Sequence, residues 1–223
     1  SGKVQQEKVE SFLKEAYLPA LHRAGIKKIG VFKPIESDTT NTKRLFVWIP
    51  FVSLEQFAKI QDILAADKEY QTKGIAVLGA PFNEPAFLRK ESILLKAFPD
   101  APNFVIPTFK TAPAERIYEL RSYEGPTENL FRQKVKMFNE GGEIKIFKKL
   151  DFNAVFYAEV ISGSTMPNLM YLTTFADMTA HDEHWAAFRA HPEWKALSAL
   201  SEYQNTVSKS VKLLLHPTDY SDF

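Results

Sequence analysis

Cysteine is absent from all 223 residues. That excludes disulfides, thiolate nucleophiles, iron–sulfur clusters and cysteine-based zinc sites together. A chain without thiols suits the cytoplasm and an oxidising compartment equally. No apolar run reaches the roughly 18 residues that a membrane-spanning helix needs, and no signal peptide is visible. The opening SGKVQQEKVE reads as the start of a trimmed chain. The expected location is therefore cytoplasmic or, after loss of an N-terminal segment, exported. One-sided charge is missing as well, with Lys+Arg 28 against Asp+Glu 27, so nothing draws the chain to nucleic acid or anionic lipid. There is no nucleophile elbow, P-loop, Rossmann glycine fingerprint or HExxH. What is present is ordinary for a globular protein: 45% hydrophobic and 25% charged residues, enough to bury a core without staples.

The chain repeats itself. Residues 45–51 (LFVWIPF) fall on 169–175 (LMYLTTF). In the same register Ser53 meets Asp177, Leu64 meets Phe188, and DKEY at 67–70 meets HPEW at 191–194. Upstream, with a two-residue slip, 23–35 meets 149–161; downstream, 94–100 meets 212–218. So long a period indicates duplicated domains rather than a solenoid. The expected units are 1–98 and 115–223, joined by the proline-rich, aperiodic stretch 99–114.

The second copy reads strand (115–124), helix from Pro126 through Phe131, Val135 and Phe138, break at Gly141-Gly142, strand (152–160), strand (169–175), helix capped by Asp177, a short helix opened by Pro192, and strand (207–216). This is the βαββαβ, ferredoxin-like order. The first copy has a helix over about 5–23 with Pro19 inside and Gly25 as its stop, then strands at 27–34, 44–51 and 91–98. Nothing before Val4 matches the leading strand IYELRSYE. That strand is expected to be missing, or donated from elsewhere. The fold class expected is α+β, with two tandem ferredoxin-like units in a dimeric α+β barrel-type arrangement and each bare sheet face covered by the other.

RIYELRSYEG at 116–125, MPNLMYLTTFADM at 166–178, HWAAFRAHPEW at 184–194 and LLLHPTDYS at 213–221 together resemble the NIPSNAP family. YLPALHRAGIKKIGVF at 17–32 is similar to its bacterial branch. The resemblance implies a dimeric α+β barrel, a fold shared with cofactor-free monooxygenases and, more distantly, with haem-binding proteins. It implies no particular activity. Two departures stand out. The first unit lacks its YELR strand, and His191 stands where the family has Asp before PEW, a cap worth about 1 kcal/mol.

Candidate site residues come from the faces of the second copy. If Tyr118 and Leu120 pack on the helices, Glu119, Arg121 and Tyr123 face the barrel interior. Asn153 and Tyr157, polar where the first copy has Lys27 and Val31, are expected to join them. A buried arginine among carboxylates and a phenol can hold a carboxylate or polarise a carbonyl; the same residues can also form a purely structural pair. His181 and His184, three apart on one helix, could hold a metal only with a third ligand, and half-buried structural histidines are the plainer account. His22 ends a helix, where a cation suits the dipole, or could reach a pocket. Three functions remain. One is a module binding a small organic ligand or a protein, self-associating, with no cofactor. The second is a monooxygenase-like enzyme using Asn153, Tyr157, Arg121 and His184. The third is a haem barrel with His22 or His184 as axial ligand.

Overall fold

The computed structural model describes residues 2–35 and 43–223. The chain forms two compact units, residues 1–91 with 218–223, and residues 92–217. Among the described residues no helix is long and apolar enough to cross a membrane.

In the first unit α1 (Gly2–Phe12) passes through a π-helical turn (Leu13–Tyr17) into α2 (Leu18–Arg23). The single helix expected over 5–23 is thus interrupted. Pro19 cannot donate a backbone hydrogen bond, and the widened turn leaves it in the first turn of α2, where none is needed. Strands β1 (Gly30–Pro34) and β2 (Phe46–Trp48) pair antiparallel, with Val31 opposite Val47. β1 begins later than expected because Lys28 takes a φ of +66°, which ends any extended run. Ser53 caps α3 (Leu54–Ala66), accepting the Gln56 N–H at 3.1 Å. Asp67 caps α4 (Lys68–Lys73), which α5 (Ile75–Leu78) follows. Ala16, Leu21, Ile29, Val31, Ile60 and Leu64 form the core. The last residues of the chain finish this unit. The Asp222 carboxylate accepts the Ile29 N–H at 2.7 Å and lies 2.9 Å from His22 Nε2. The Phe223 ring packs on Phe32 and Trp48 at 5.6 and 5.5 Å.

The second unit contains β3 (Leu94–Ala97), β4 (Ile117–Glu124), α6 (Glu128–Phe138), α7 (Glu143–Lys149), β5 (Phe156–Ser162), β6 (Asn168–Phe175), α8 (Met178–Ala190), α9 (Pro192–Ser198) and β7 (Lys209–Pro217). Its strands lie in the order β7-β4-β6-β5-β3, every neighbour antiparallel. From β4 to β7 the element order is βαββαβ. β3, read from sequence as the closing strand of the first copy, pairs instead with β5, Leu95 opposite Val160. β5 starts at Phe156 rather than 152 because Asp151 and Asn153 adopt φ values of +50° and +46°. Thr127 caps α6, and Asp177 caps α8 by accepting the Ala180 N–H at 2.8 Å. His191 heads α9 without a side-chain cap.

The alternation of β4 decides the site. Ile117 and Tyr123 pack in the cluster with Phe138, Phe147, Tyr171 and Trp185. Glu119 and Arg121, of the same parity, therefore point under the helices. The expectation that Tyr118 and Leu120 take that side, leaving Glu119 and Arg121 on the bare face, is corrected. Tyr118 lies on the opposite face with Leu172, Thr174 and Phe156, and all four are buried.

Candidate functional site

Arg121 sits at the centre of a charged and aromatic network. Its Nε and Nη2 donate to Glu119 Oε1 at 2.9 and 2.8 Å, and its Nη1 donates to the Tyr123 hydroxyl at 3.1 Å. The guanidinium stacks 3.7 Å from the centre of the Trp185 ring. Trp185 Nε1 donates to the other Glu119 oxygen at 2.5 Å, which His181 Nε2 approaches at 3.3 Å. Glu119 is 2% exposed. Burial opposes its ionisation, but His181 and Arg121 outweigh that and hold its carboxyl below the usual range. Burial likewise opposes charging of His181, yet the Glu119 and Asp182 carboxylates raise its imidazole above the ordinary value. The Tyr123 and Tyr171 hydroxyls meet at 2.8 Å. Burial pushes the Tyr171 phenol far up, so it stays protonated.

Beside this network lies a second ion pair. Lys134 of α6 donates to Glu143 of α7 at 2.9 Å, with their side chains 8% and 3% exposed. Phe138, Tyr123 and Trp194 surround the ammonium at 4.9, 5.7 and 5.8 Å from their ring centres. The Gly142 backbone, at φ +88°, turns the chain so that α7 starts with Glu143 facing inward; a side chain at that φ would be strained. Burial lifts the Glu143 carboxyl above its ordinary range, against the pull of Lys134.

These groups line a cavity of about 420 Å³ between the sheet and helices of the second unit. Phe147, Tyr171, Trp185, Phe188 and Trp194 supply its aromatic wall. Arg121 and Lys134 sit inside, while Arg189, Ser210 and Lys212 form an exposed rim. Its volume falls within the range that small-molecule sites span.

The NIPSNAP family model matches residues 118–222. That stretch is a NIPSNAP domain. Among solved structures, an uncharacterized NIPSNAP-like domain protein from Burkholderia xenovorans is 20% identical over 48% of this chain and 90% of its own, with a TM-score of 0.43. A candidate monooxygenase from Lactobacillus acidophilus NCFM is 10% identical over 97% of this chain and 89% of its own, with a TM-score of 0.55. An anthrone oxidase-like protein is 12% identical over 96% and 85%, at 0.51. The last two share the mixed α+β fold of this chain and are of the dimeric α+β barrel type. No curated protein matches it.

Of the residues singled out from sequence, Arg121 and Tyr123 line the cavity of the NIPSNAP domain, and Glu119 stands directly behind Arg121. Tyr157 is buried in the core, stacked on Tyr171 at 5.7 Å, and is not part of the lining. Asn153 lies outside β5 at a φ of +46°, its Nδ2 donating to the Asp151 carbonyl, so it cannot share a strand face with Tyr157. His184 packs its ring on Phe175 and Phe152 at 5.7 and 6.1 Å, away from the lining. His22 belongs to the first unit and is paired with Asp222. Neither histidine considered as a haem ligand lies in the lining of this cavity. Among the described residues no group of three or more His, Cys, Asp or Glu gathers to hold a metal. Sequence reasoning missed Lys134, Glu143, Arg189 and Lys212. Lys134 had a legible signal: it falls three residues after Phe131 and four before Phe138, on the apolar stripe of α6.

Proposed function

We propose that the NIPSNAP domain of this chain binds a small organic molecule in the cavity between its sheet and helices. One observation carries the reading. Two cations and a carboxylate, Arg121, Lys134 and Glu143, face a wall of aromatic rings in one cavity. Removing such charges from water is costly, and a buried ion pair is a weak stabiliser, so a core built only for stability has little use for them. A structural account of each pair is possible on its own; their convergence on one cavity supports binding.

Ser210 tests this. It is exposed at the rim and faces the same side as Tyr123, its partner across the β4–β7 ladder. Ser210→Trp closes the mouth without disturbing the core, since an aromatic residue suits a strand. In a small-molecule screen read by the indole N–H resonances of Trp185 and Trp194, hits should shift those signals in the wild type and lose affinity at least tenfold in Ser210→Trp. A screen without such hits, or hits indifferent to the substitution, refutes the reading.

A second reading is oxygenation of a bound organic molecule that supplies its own electrons. It is favoured by the position of Glu143, the carboxylate in the lining, where it can accept a proton. The full-length fold likeness to a candidate monooxygenase and an anthrone oxidase-like protein supports it further. Oxygen uptake with anthrone, abolished in Glu143→Gln, is the test.

The finer architecture belongs to the same proposal: two tandem ferredoxin-like units of the dimeric α+β barrel type, spanning about 1–98 and 115–223 in sequence, with β3 at the end of the first stretch laid against β5. The βαββαβ order of the second unit supports it. Self-association is proposed on the exposed Phe82, Phe87 and Leu88 of the first unit, and sedimentation as a monomer at micromolar concentration refutes it.

A further inference from the structure

The geometry points to a planar aromatic carboxylate as the occupant of the cavity, its ring against Trp185, Phe188 and Trp194 and its carboxylate held at the rim by Arg189 and Lys212. This inference rests on the binding role proposed above and names the class of ligand.

Charge sets the sign of the occupant. Four cations line the cavity: Arg121, Lys134, Arg189 and Lys212. Arg121 is spent on Glu119 and Lys134 on Glu143. Arg189 and Lys212 have no ion-pair partner among the described residues. The two internal pairs are neutral overall, so the rim leaves about two positive charges uncompensated beside a cavity with low-dielectric walls, which concentrates anions. Lys212 stands directly across the ladder from Arg121, and Ser210, two residues earlier on the same face, adds a hydroxyl donor.

Shape and wall chemistry set the rest. The interior is ring upon ring: Phe147 and Phe188 are parallel within 14° at 4.7 Å, and Phe188 and Trp194 lie 4.4 Å apart. A flat ring extends that stack in the offset or edge-on geometry that aromatic pairs prefer. An arginine fork and a lysine in one lining match a carboxylate.

Calorimetry on the full chain with 2-naphthoate, 2-naphthamide and cyclohexanecarboxylate tests the class. The acid is expected to bind at least tenfold more tightly than either its neutral amide or the saturated acid. Arg189→Gln and Lys212→Gln, both at exposed positions, should each weaken naphthoate by about three- to tenfold and leave the amide unchanged. Raising the salt concentration should weaken the acid alone. Equal binding of acid and amide, or full affinity in the double variant, overturns the inference. If acid and amide bind equally and Ser210→Trp removes both, the cavity still binds small molecules and only the carboxylate assignment falls. If naphthoate fails but an unrelated screening hit is blocked by Ser210→Trp, the outcome is the same. Naphthoate binding undiminished by Ser210→Trp removes both.

Discussion

Replacing Lys134 by Met removes a charge and leaves the volume almost unchanged. Its partner Glu143 then stands alone, with a side chain 3% exposed. An ionised carboxylate there is untenable, so it protonates on folding. The cost has a ceiling. Neutralising a carboxyl of ordinary value 4.5 at pH 7 takes about 3.4 kcal/mol, at 1.36 kcal/mol per pH unit. A loss of about 3 kcal/mol corresponds to roughly 6–12 °C in Tm for a chain of this size. The pH dependence gives the sharper check. In Lys134→Met the folded carboxyl titrates far above its unfolded value. The protonated form is therefore no burden below 4.5, and stability falls as pH rises from there toward the folded value. The deficit relative to wild type should shrink to about 1 kcal/mol at pH 5 by the same slope. In the double variant Lys134→Met/Glu143→Leu the pair is gone and apolar contacts replace it, so stability should return to within about 1 kcal/mol of wild type. Urea titrations at pH 5 and pH 7, followed by near-ultraviolet circular dichroism, read all of this. Single variants that lose under 1 kcal/mol, add in the double and show no pH dependence would refute a buried, mutually dependent pair.

Trp185→Phe removes the indole donor to Glu119 and the stacking surface for Arg121; about 2–4 kcal/mol should be lost in a chemical denaturation curve. Glu119 is held below the usual carboxylate range, so its contribution is present above 4.5 and disappears as pH falls through its folded value. Glu119→Gln should accordingly flatten the acid limb of a Tm-against-pH profile. Asp222→Ala strips an acceptor from the Ile29 N–H and a partner from His22, and should cost about 1–3 kcal/mol, read as faster amide exchange at Ile29. Lys28→Gly relieves a φ of +66° and should stabilise by about 0.5–1 kcal/mol in a thermal scan.

Local signals carried much of the architecture. Thr127, Ser53 and Asp177 mark helix starts because a short side-chain oxygen satisfies a free N–H wherever the helix later packs. The order of elements in the second unit follows from such signals and from period-two and period-3.6 patterns; its NIPSNAP resemblance is carried by motifs such as YELR at 118–121 and HPEW at 191–194. The ends of β1 and β5 did not, because Lys28, Asp151 and Asn153 adopt left-handed backbone at residues with no glycine to announce it.

Alternation along β4 puts Glu119, Arg121 and Tyr123 on one face from sequence alone, because a strand's period is two. Which face of the sheet that would be is a different matter. It depends on which side the helices cover, and the alternation alone leaves Tyr118 and Leu120 as free to pack on them as Ile117 and Tyr123. Only the packed helices settle it, since Trp185 and His181 bring the donors that make a buried carboxylate tolerable. Lys134 and Glu143, nine residues apart on two helices, and Lys212, on the final strand, become neighbours of Arg121 solely through that packing. Residue types and spacing set the local elements; the convergence of charges from five of them on one cavity is a long-range event, and no local pattern encodes its geometry.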